Sequence, residues 1–70
     1  MTVGEKIKKH IDEQRITQTY LSQMTHISLP KLNLILSGKR NLKIEEFEVI
    51  CGVLDVNVNK FITPRLPKSA

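Results

Sequence analysis

The side chains in this sequence that could do chemistry are mostly cationic groups rather than catalytic ones. A short basic loop, Lys39-Arg40-Asn41, follows an apolar helical segment and carries two neighbouring positive charges. The chain holds eleven Lys and Arg against seven Asp and Glu, which gives a net charge of +4 and a pI near 9.5. This balance favours a polyanionic partner. The alternative interpretation is a solvated basic loop on a domain that has no such partner.

Residues suited to catalysis or metal binding are few. The sequence contains no glycine-rich phosphate loop, no Cys and His pair at ligand spacing, and no acidic partner arrangement for His10 or His26. We therefore expect no enzyme activity, no metal site and no cofactor. The single Cys51 excludes an internal disulfide, and its helical setting predicts a core residue. Because no secretory signal precedes the predicted helices, we expect a reducing, cytoplasmic location.

The cationic groups need a framework, and the middle third of the chain predicts two short helices joined by a tight turn. Thr17 is an N-cap residue type that opens the first helix, and Leu21 with Met24 is expected to form its inward stripe. Ser28, another N-cap type, opens the second helix. Pro30 suits its first turn, because amides there have no intrahelical partner.

The second helix has a clear buried side. Leu32, Ile35 and Leu36 recur at i, i+3 and i+4, and Ser37-Gly38 supplies a stop signal. Two helices of this length cannot build a core alone, so flanking helices are required.

The flanking segments supply these helices. Helices are predicted over Gly4 to Arg15 and over Ile44 to Leu54, followed by a short closing helix. The residues expected to face inward are Ile7, Ile11, Ile44, Phe47, Ile50, Cys51, Leu54, Val56, Val58, Phe61 and Ile62. The predicted fold is all-α, a compact bundle of about five short helices, with one domain over residues 1–63 and a flexible tail over 64–70. No apolar run is long enough to span a membrane.

This arrangement resembles the lambda-repressor-like helix-turn-helix family of the phage repressor and Cro type, over about residues 4 to 62. The usual family run is T-Q-x-x-L-A-x-x-x-G-[VI]-S-x-x-x-[IL]-S-x-[IL]-E-x-G-[KR]-R. The residues in register with it are Thr17, Gln18, Leu21, Ile27, Ser28, Leu32, Ile35, Gly38, Lys39 and Arg40. The resemblance implies a compact helical domain that binds double-stranded DNA.

Some departures from the family pattern are informative. His26 occupies the place of the turn glycine, which is tolerable because His adopts a positive φ more readily than most residues. Ile11 and Leu36 stand where relatives often pair an Arg with a Glu. Replacing both partners by apolar residues keeps the contact and removes two desolvation costs.

The resemblance also implies which residues would meet DNA. In relatives the second helix of the motif lies in the major groove, while the preceding helix places its first turn on the phosphate backbone. The residues carried over to the backbone are Thr17, Gln18, Ser28, Lys39, Arg40 and Asn41, and those at the groove are Leu29, Pro30, Lys31, Asn33 and Leu34. Lys31 would reach guanine acceptors and Asn33 adenine, whereas the apolar residues could contact only thymine methyl groups. The alternative for Gln18 is that it only caps its helix and does not contact the phosphate backbone.

Two functions follow as hypotheses. The first is a sequence-specific transcriptional regulator of prokaryotic or phage origin that binds a two-fold operator as a weak homodimer, with Val53, Val58 and Phe61 near the dimer contact. The second is a protein-interaction module, such as an antirepressor or antitoxin-like partner binder. It would use Pro30 and Leu34, which project away from the buried stripe of their helix.

Overall fold

The computed structural model describes residues 2–62, which form four α-helices and one turn of 3₁₀ helix. The elements are α1 (Val3–Glu13), α2 (Gln18–Thr25), α3 (Leu29–Leu36), α4 (Ile44–Leu54) and the 3₁₀ turn (Val58–Lys60). The all-α prediction is confirmed, but the predicted closing helix is only a single 3₁₀ turn. The predicted flexible tail, residues 64–70, lies outside the described residues. Within residues 2–62 there is no helix with the length and hydropathy needed to cross a bilayer.

One hydrophobic core joins all the elements. It contains Ile7 and Ile11 from α1, Leu21 from α2, Leu32 and Leu36 from α3, Phe47, Ile50 and Cys51 from α4, and Ile27 and Phe61 from the connections. Each fully buried Leu, Ile or Phe contributes about 1.5 to 3 kcal/mol, so these residues dominate the stability of so short a chain. Ile11 and Leu36, the apolar replacements for the family's ion pair, are both completely buried. Burial also raises the pKa of the Cys51 thiol.

The start of α1 is fixed by a reciprocal cap. The Thr2 hydroxyl accepts the Glu5 amide at 3.1 Å, and the Glu5 carboxylate accepts the Thr2 amide at 2.9 Å. These bonds lower the pKa of Glu5. The helix therefore begins at Val3, one residue earlier than predicted. It also ends earlier, at Glu13, because the backbone at Arg15 turns into the left-handed region with φ 59°.

Gly4 allows α1 to approach α3 closely. This glycine is buried, and a Cβ at its position would lie 2.0 Å from the carbonyl oxygen of Ile35. No larger side chain fits without separating the two helices. The contact fixes α1 against the end of α3, which is the helix predicted to enter the DNA groove.

Two predictions of inward-facing residues were wrong. Met24 is 50% exposed, because the inward stripe of α2 runs through positions 18, 21, 22 and 25 and Met24 lies beside it. Ile44 is 61% exposed although it keeps the helical spacing of α4. It is the first residue of that helix, and side chains lean toward the helix N-terminus, so Ile44 projects past the end of the core.

Candidate nucleic-acid interface

The turn between α2 and α3 has the conformation expected at His26. Its backbone lies in the left-handed region with φ 61° and ψ 21° and ends α2, as predicted. Two hydroxyl groups hold the turn: Ser22 donates to the carbonyl of Ile27, and Thr25 donates to the carbonyl of Leu21 at 2.7 Å. The Thr25 oxygen also accepts the Ile27 amide at 3.4 Å. Two side-chain hydroxyl groups therefore bind backbone groups on both sides of the turn, which holds the turn without a glycine.

The two helices begin differently. Thr17 caps α2 as predicted, and its hydroxyl accepts the Tyr20 amide at 3.0 Å. Gln18 follows in the first turn and is half-buried. Ser28 occupies the N-cap position of α3 as predicted, but its side chain makes no capping hydrogen bond. The exposed Ser28 hydroxyl and the first amides of α3 are therefore available to an external acceptor.

The exposed side of α3 is partly apolar. Leu29 is 40% and Leu34 is 43% exposed, and Pro30 and Asn33 are also exposed. Leu29 is thus a surface residue at the start of the helix. These side chains occupy the positions that the sequence assigned to the DNA groove.

Lys31 has a partner that the sequence did not indicate. Its ammonium nitrogen Nζ lies 2.7 Å from Oε2 of Glu46 on α4, and both side chains are shielded, with 33% and 12% exposure. The second oxygen of Glu46, Oε1, accepts the Lys43 amide at the start of α4 at 3.0 Å. The hydrogen bond from Lys31, the bond from Lys43 and both positive charges lower the pKa of Glu46. One carboxylate therefore joins the middle of α3 to the beginning of α4.

The basic loop is bound to the last turn of α3 through its backbone. The amides of Lys39 and Arg40 both donate to the carbonyl of Leu34, at 2.9 and 3.2 Å. The Ser37 hydroxyl donates to the same oxygen at 3.1 Å. Gly38 makes this return possible with a φ of 81°. The loop therefore keeps a fixed position beside Leu34, and the side chains of Lys39, Arg40 and Asn41 are exposed.

The predicted site residues thus fall on three connected segments: the start of α2, the exposed side of α3 and the loop after it. Thr17, Ser28 and Lys31 already serve the fold, the first as a cap, the second as a helix start and the third in an ion pair. Sequence reasoning missed Glu46 and Thr25, two residues outside the predicted site that stabilise α3 and the turn before it. A Thr at the end of a short helix, one residue before the turn, was the available signal for Thr25. Glu46 is fifteen residues from Lys31 in the sequence, so no local sequence rule indicated their contact.

The family assignment rests on a match over most of the chain. The family model for Cro/C1-type HTH DNA-binding domains matches residues 6–63 of the 70 residues. The chain belongs to this family. This confirms the resemblance seen in the stretch from Thr17 to Arg40. Searches among curated proteins and among solved structures gave no match.

Membership of the Cro/C1-type family indicates how the arrangement of α2 and α3 should be interpreted. In a helix-turn-helix domain of this type, α2 and α3 form the motif, and the domain is a DNA-binding one. The match supports a DNA-binding regulator. Among residues 2–62 there is no group of three or more His, Cys, Asp or Glu side chains that could hold a metal ion.

Proposed function

We propose that the protein is a sequence-specific, double-stranded-DNA-binding transcriptional regulator of the repressor or Cro type, with α3 in the major groove. It would act in the cytoplasm of a prokaryotic cell, whether its gene is chromosomal or of phage origin. The observation that carries the proposal is the junction of α3 with the basic loop. Backbone hydrogen bonds hold the main chain of two adjacent cationic residues beside the exposed side of the motif's second helix.

The proposed backbone contacts surround α3 at both ends. The first turn of α2, with Thr17 and Gln18, and the start of α3, at Ser28, would face phosphates on one side. The Lys39-Arg40-Asn41 loop would face phosphates at the other end. Cationic side chains of this kind supply affinity without reading sequence.

The proposed base contacts are few. Asn33 is the exposed amide on α3, and an amide of this kind can bond an adenine edge in the major groove. Leu29, Pro30 and Leu34 would contact thymine methyl groups or the groove wall. Lys31 would add a guanine contact only if it left Glu46. We therefore expect modest sequence specificity with a preference for A·T pairs.

Binding as a weak homodimer remains part of the proposal, since a single motif makes too few contacts for a long operator. The predicted dimer surface needs a correction, because Phe61 is only 3% exposed and belongs to the core. Val53 and Val58 are partly buried against the same core. Sedimentation of the protein with and without a palindromic duplex tests the dimer, and a monomer under both conditions would reject it.

The experiment for DNA binding is selection of bound sites from a random duplex pool, followed by affinity measurements over a range of salt concentrations. Counterion release makes the logarithm of affinity fall linearly with the logarithm of salt concentration. Replacing Lys39 or Arg40 by Ala should lower this slope by about 1 each. Lys8→Ala is the matched control, because it removes the same charge from α1 and Lys8 is already paired with Asp12 at 2.8 Å. An equal effect of all three variants would reject the assigned loop contacts.

The second candidate function is a protein-interaction module. It is favoured by the exposed apolar residues of the motif: Tyr20 and Met24 on α2 and Leu29 and Leu34 on α3. Such residues act as anchors in protein interfaces, where charges at the rim contribute little. Failure to select any duplex, together with loss of partner binding on Leu34→Ala, would favour this function over DNA binding.

A further inference from the structure

A cleft between α1 and the 3₁₀ turn lies outside the proposed DNA interface. It has a volume of about 250 Å³, and its lining residues are Lys6, Lys9, His10, Glu13, Lys60 and Phe61. None of these residues belongs to α2, α3 or the basic loop. We call it the α1 cleft.

The α1 cleft carries unbalanced positive charge. Lys6, Lys9 and Glu13 follow one side of α1 at i, i+3 and i+7, and Lys60 joins them from the 3₁₀ turn. Within residues 2–62, no carboxylate lies within ion-pair distance of any of the three lysines. Lys8 on the same helix, by contrast, is paired with Asp12. Three lysines thus line one cleft together with a single carboxylate, Glu13, so the lining carries a net charge of +2 that an anion would neutralise.

Two of the lining groups are held in place by the fold. The Lys6 ammonium donates to the carbonyl of Phe61 at 3.4 Å, which leaves its other hydrogens for a ligand. The His10 ring packs edge-on against the Phe61 ring, with centroids 5.6 Å apart and planes at 75°. Phe61 is itself fixed in the core by an edge contact with Phe47. An arrangement that is ordered before binding loses less entropy when a ligand enters.

We propose that the α1 cleft binds a small, multiply charged phosphate anion such as a pyrophosphate group. Three lysines match a ligand with at least two negative charges, and the Lys ammonium is a common binder of phosphate. The cleft is open to solvent, and its volume is slightly below the 300 to 1,000 Å³ usual for drug-sized ligands. Because none of its residues belongs to the proposed DNA interface, we assign it to a free di- or triphosphate rather than to the DNA backbone.

The test is calorimetric titration of the full chain with sodium pyrophosphate at constant ionic strength. We expect one saturable site. Lys9→Gln and Lys60→Gln should each weaken binding about threefold to tenfold, the loss expected for one charge-assisted contact. Lys8→Gln is the control with the same charge change on the same helix, and it should alter binding less than about twofold. Amide chemical shifts should move in α1 and around residues 58–61, and not in the loop at 39–41.

Two results would overturn the proposal. The first is the absence of saturable binding, or an equal loss in the Lys8 control, which would mean that only net charge matters. The second concerns the source of the phosphate: if Lys9→Gln lowers the salt slope of duplex binding by about 1, the cleft contacts the DNA backbone instead. An unchanged duplex slope with weakened pyrophosphate binding supports a free ligand. The titration needs no DNA, so the inference can fail or succeed independently of the proposed regulator.

Discussion

The ion pair between Lys31 and Glu46 leads to a prediction opposite to the one that the sequence alone would give. From the motif, Lys31 would be a base-reading residue, yet its ammonium lies 2.7 Å from the Glu46 carboxylate. Glu46→Gln removes the negative charge and frees the cation beside the proposed groove face. We expect tighter duplex binding and a salt slope steeper by about 0.9, the value for one additional neutralised phosphate.

The same substitution should reduce stability. The carboxylate lies in the first turn of α4, where a negative charge gains about 0.3 to 1 kcal/mol from the helix dipole. Its ion pair is partly exposed on the lysine side, so it is worth about 0.2 to 1 kcal/mol. Glutamine keeps one oxygen as acceptor for the Lys43 amide. The expected loss in the free energy of unfolding is therefore about 0.5 to 2 kcal/mol.

The loss in the free energy of unfolding should depend on pH. Because the pKa of Glu46 is lowered in the folded state, the folded protein binds its proton less readily than the unfolded chain. The stabilisation is then complete above the unfolded pKa of about 4.3 and is lost as the pH falls through the folded pKa. Urea denaturation from pH 7 to pH 3 measures the difference in the free energy of unfolding between wild type and Glu46→Gln. This difference should stay constant near pH 7 and should become smaller below about pH 4.

The binding assay is a double-mutant cycle with Lys31→Ala, Glu46→Gln and the double variant on one selected duplex. Lys31→Ala should be nearly neutral in the wild type and should abolish the gain in the Glu46→Gln background. Glu45→Gln is the control, since it makes the same charge change on the adjacent, exposed residue of α4. If Lys31→Ala instead costs about 1 to 3 kcal/mol in the wild type, then Lys31 leaves Glu46 for a base in the complex and this reasoning is refuted.

Three further predictions concern the fold and the groove face. Gly4→Ala should destabilise by about 3 kcal/mol, because its Cβ would lie 2.0 Å from a backbone oxygen of α3 that cannot rotate away. The same change at Gly52, which is exposed and has open space at the Cβ position, should stabilise by about 0.5 to 1 kcal/mol, and thermal unfolding will show whether the signs differ. Thr25→Val should cost about 1 to 3 kcal/mol in urea denaturation, because it leaves a buried amide of the turn unpaired. Asn33→Ala should weaken duplex binding by about 1 to 3 kcal/mol and relax base preference, whereas Leu34→Ala should have a smaller effect; the reverse order would favour a protein partner.

Much of the fold could be predicted because it depends on local rules. The bounds of α4, the cap at Thr17, the left-handed turn at His26 and the burial of Cys51 were all confirmed. Each depends on residues within one or two helical turns. Met24 was placed wrongly because the inward stripe of an eight-residue helix is narrow, so a residue one position beside it lies at the surface.

The rest depends on how the helices meet, and no local pattern contains that information. The position of Gly4 in the sequence does not indicate that a carbonyl of α3 will lie against it. Glu46 looks like an ordinary acidic residue in the first turn of α4, and Lys31 like an ordinary groove-facing cation. Only the tertiary fold, in which α3 packs on α1 and α2 while α4 packs on α2, brings their charged atoms together. The helices that carry the candidate site residues were thus predicted from the sequence, but the interactions that Lys31 already makes within the fold were not.

These interactions together hold α3 at three points along its length. Its start follows the turn held by Thr25, its middle is joined to α4 through Lys31, and its end is joined to the basic loop through the carbonyl of Leu34. Of these contacts, only the ion pair joins α3 to another helix, so a change in the angle of α3 at different DNA sites would strain that pair first. Since Lys31 is the only one of the three that is a side chain at the proposed groove face, breaking its ion pair is the least disruptive adjustment. In the wild type the ion pair opposes this adjustment, so Lys31 should stay with Glu46 and add little to specificity, and only Glu46→Gln should make its ammonium available to a DNA acceptor.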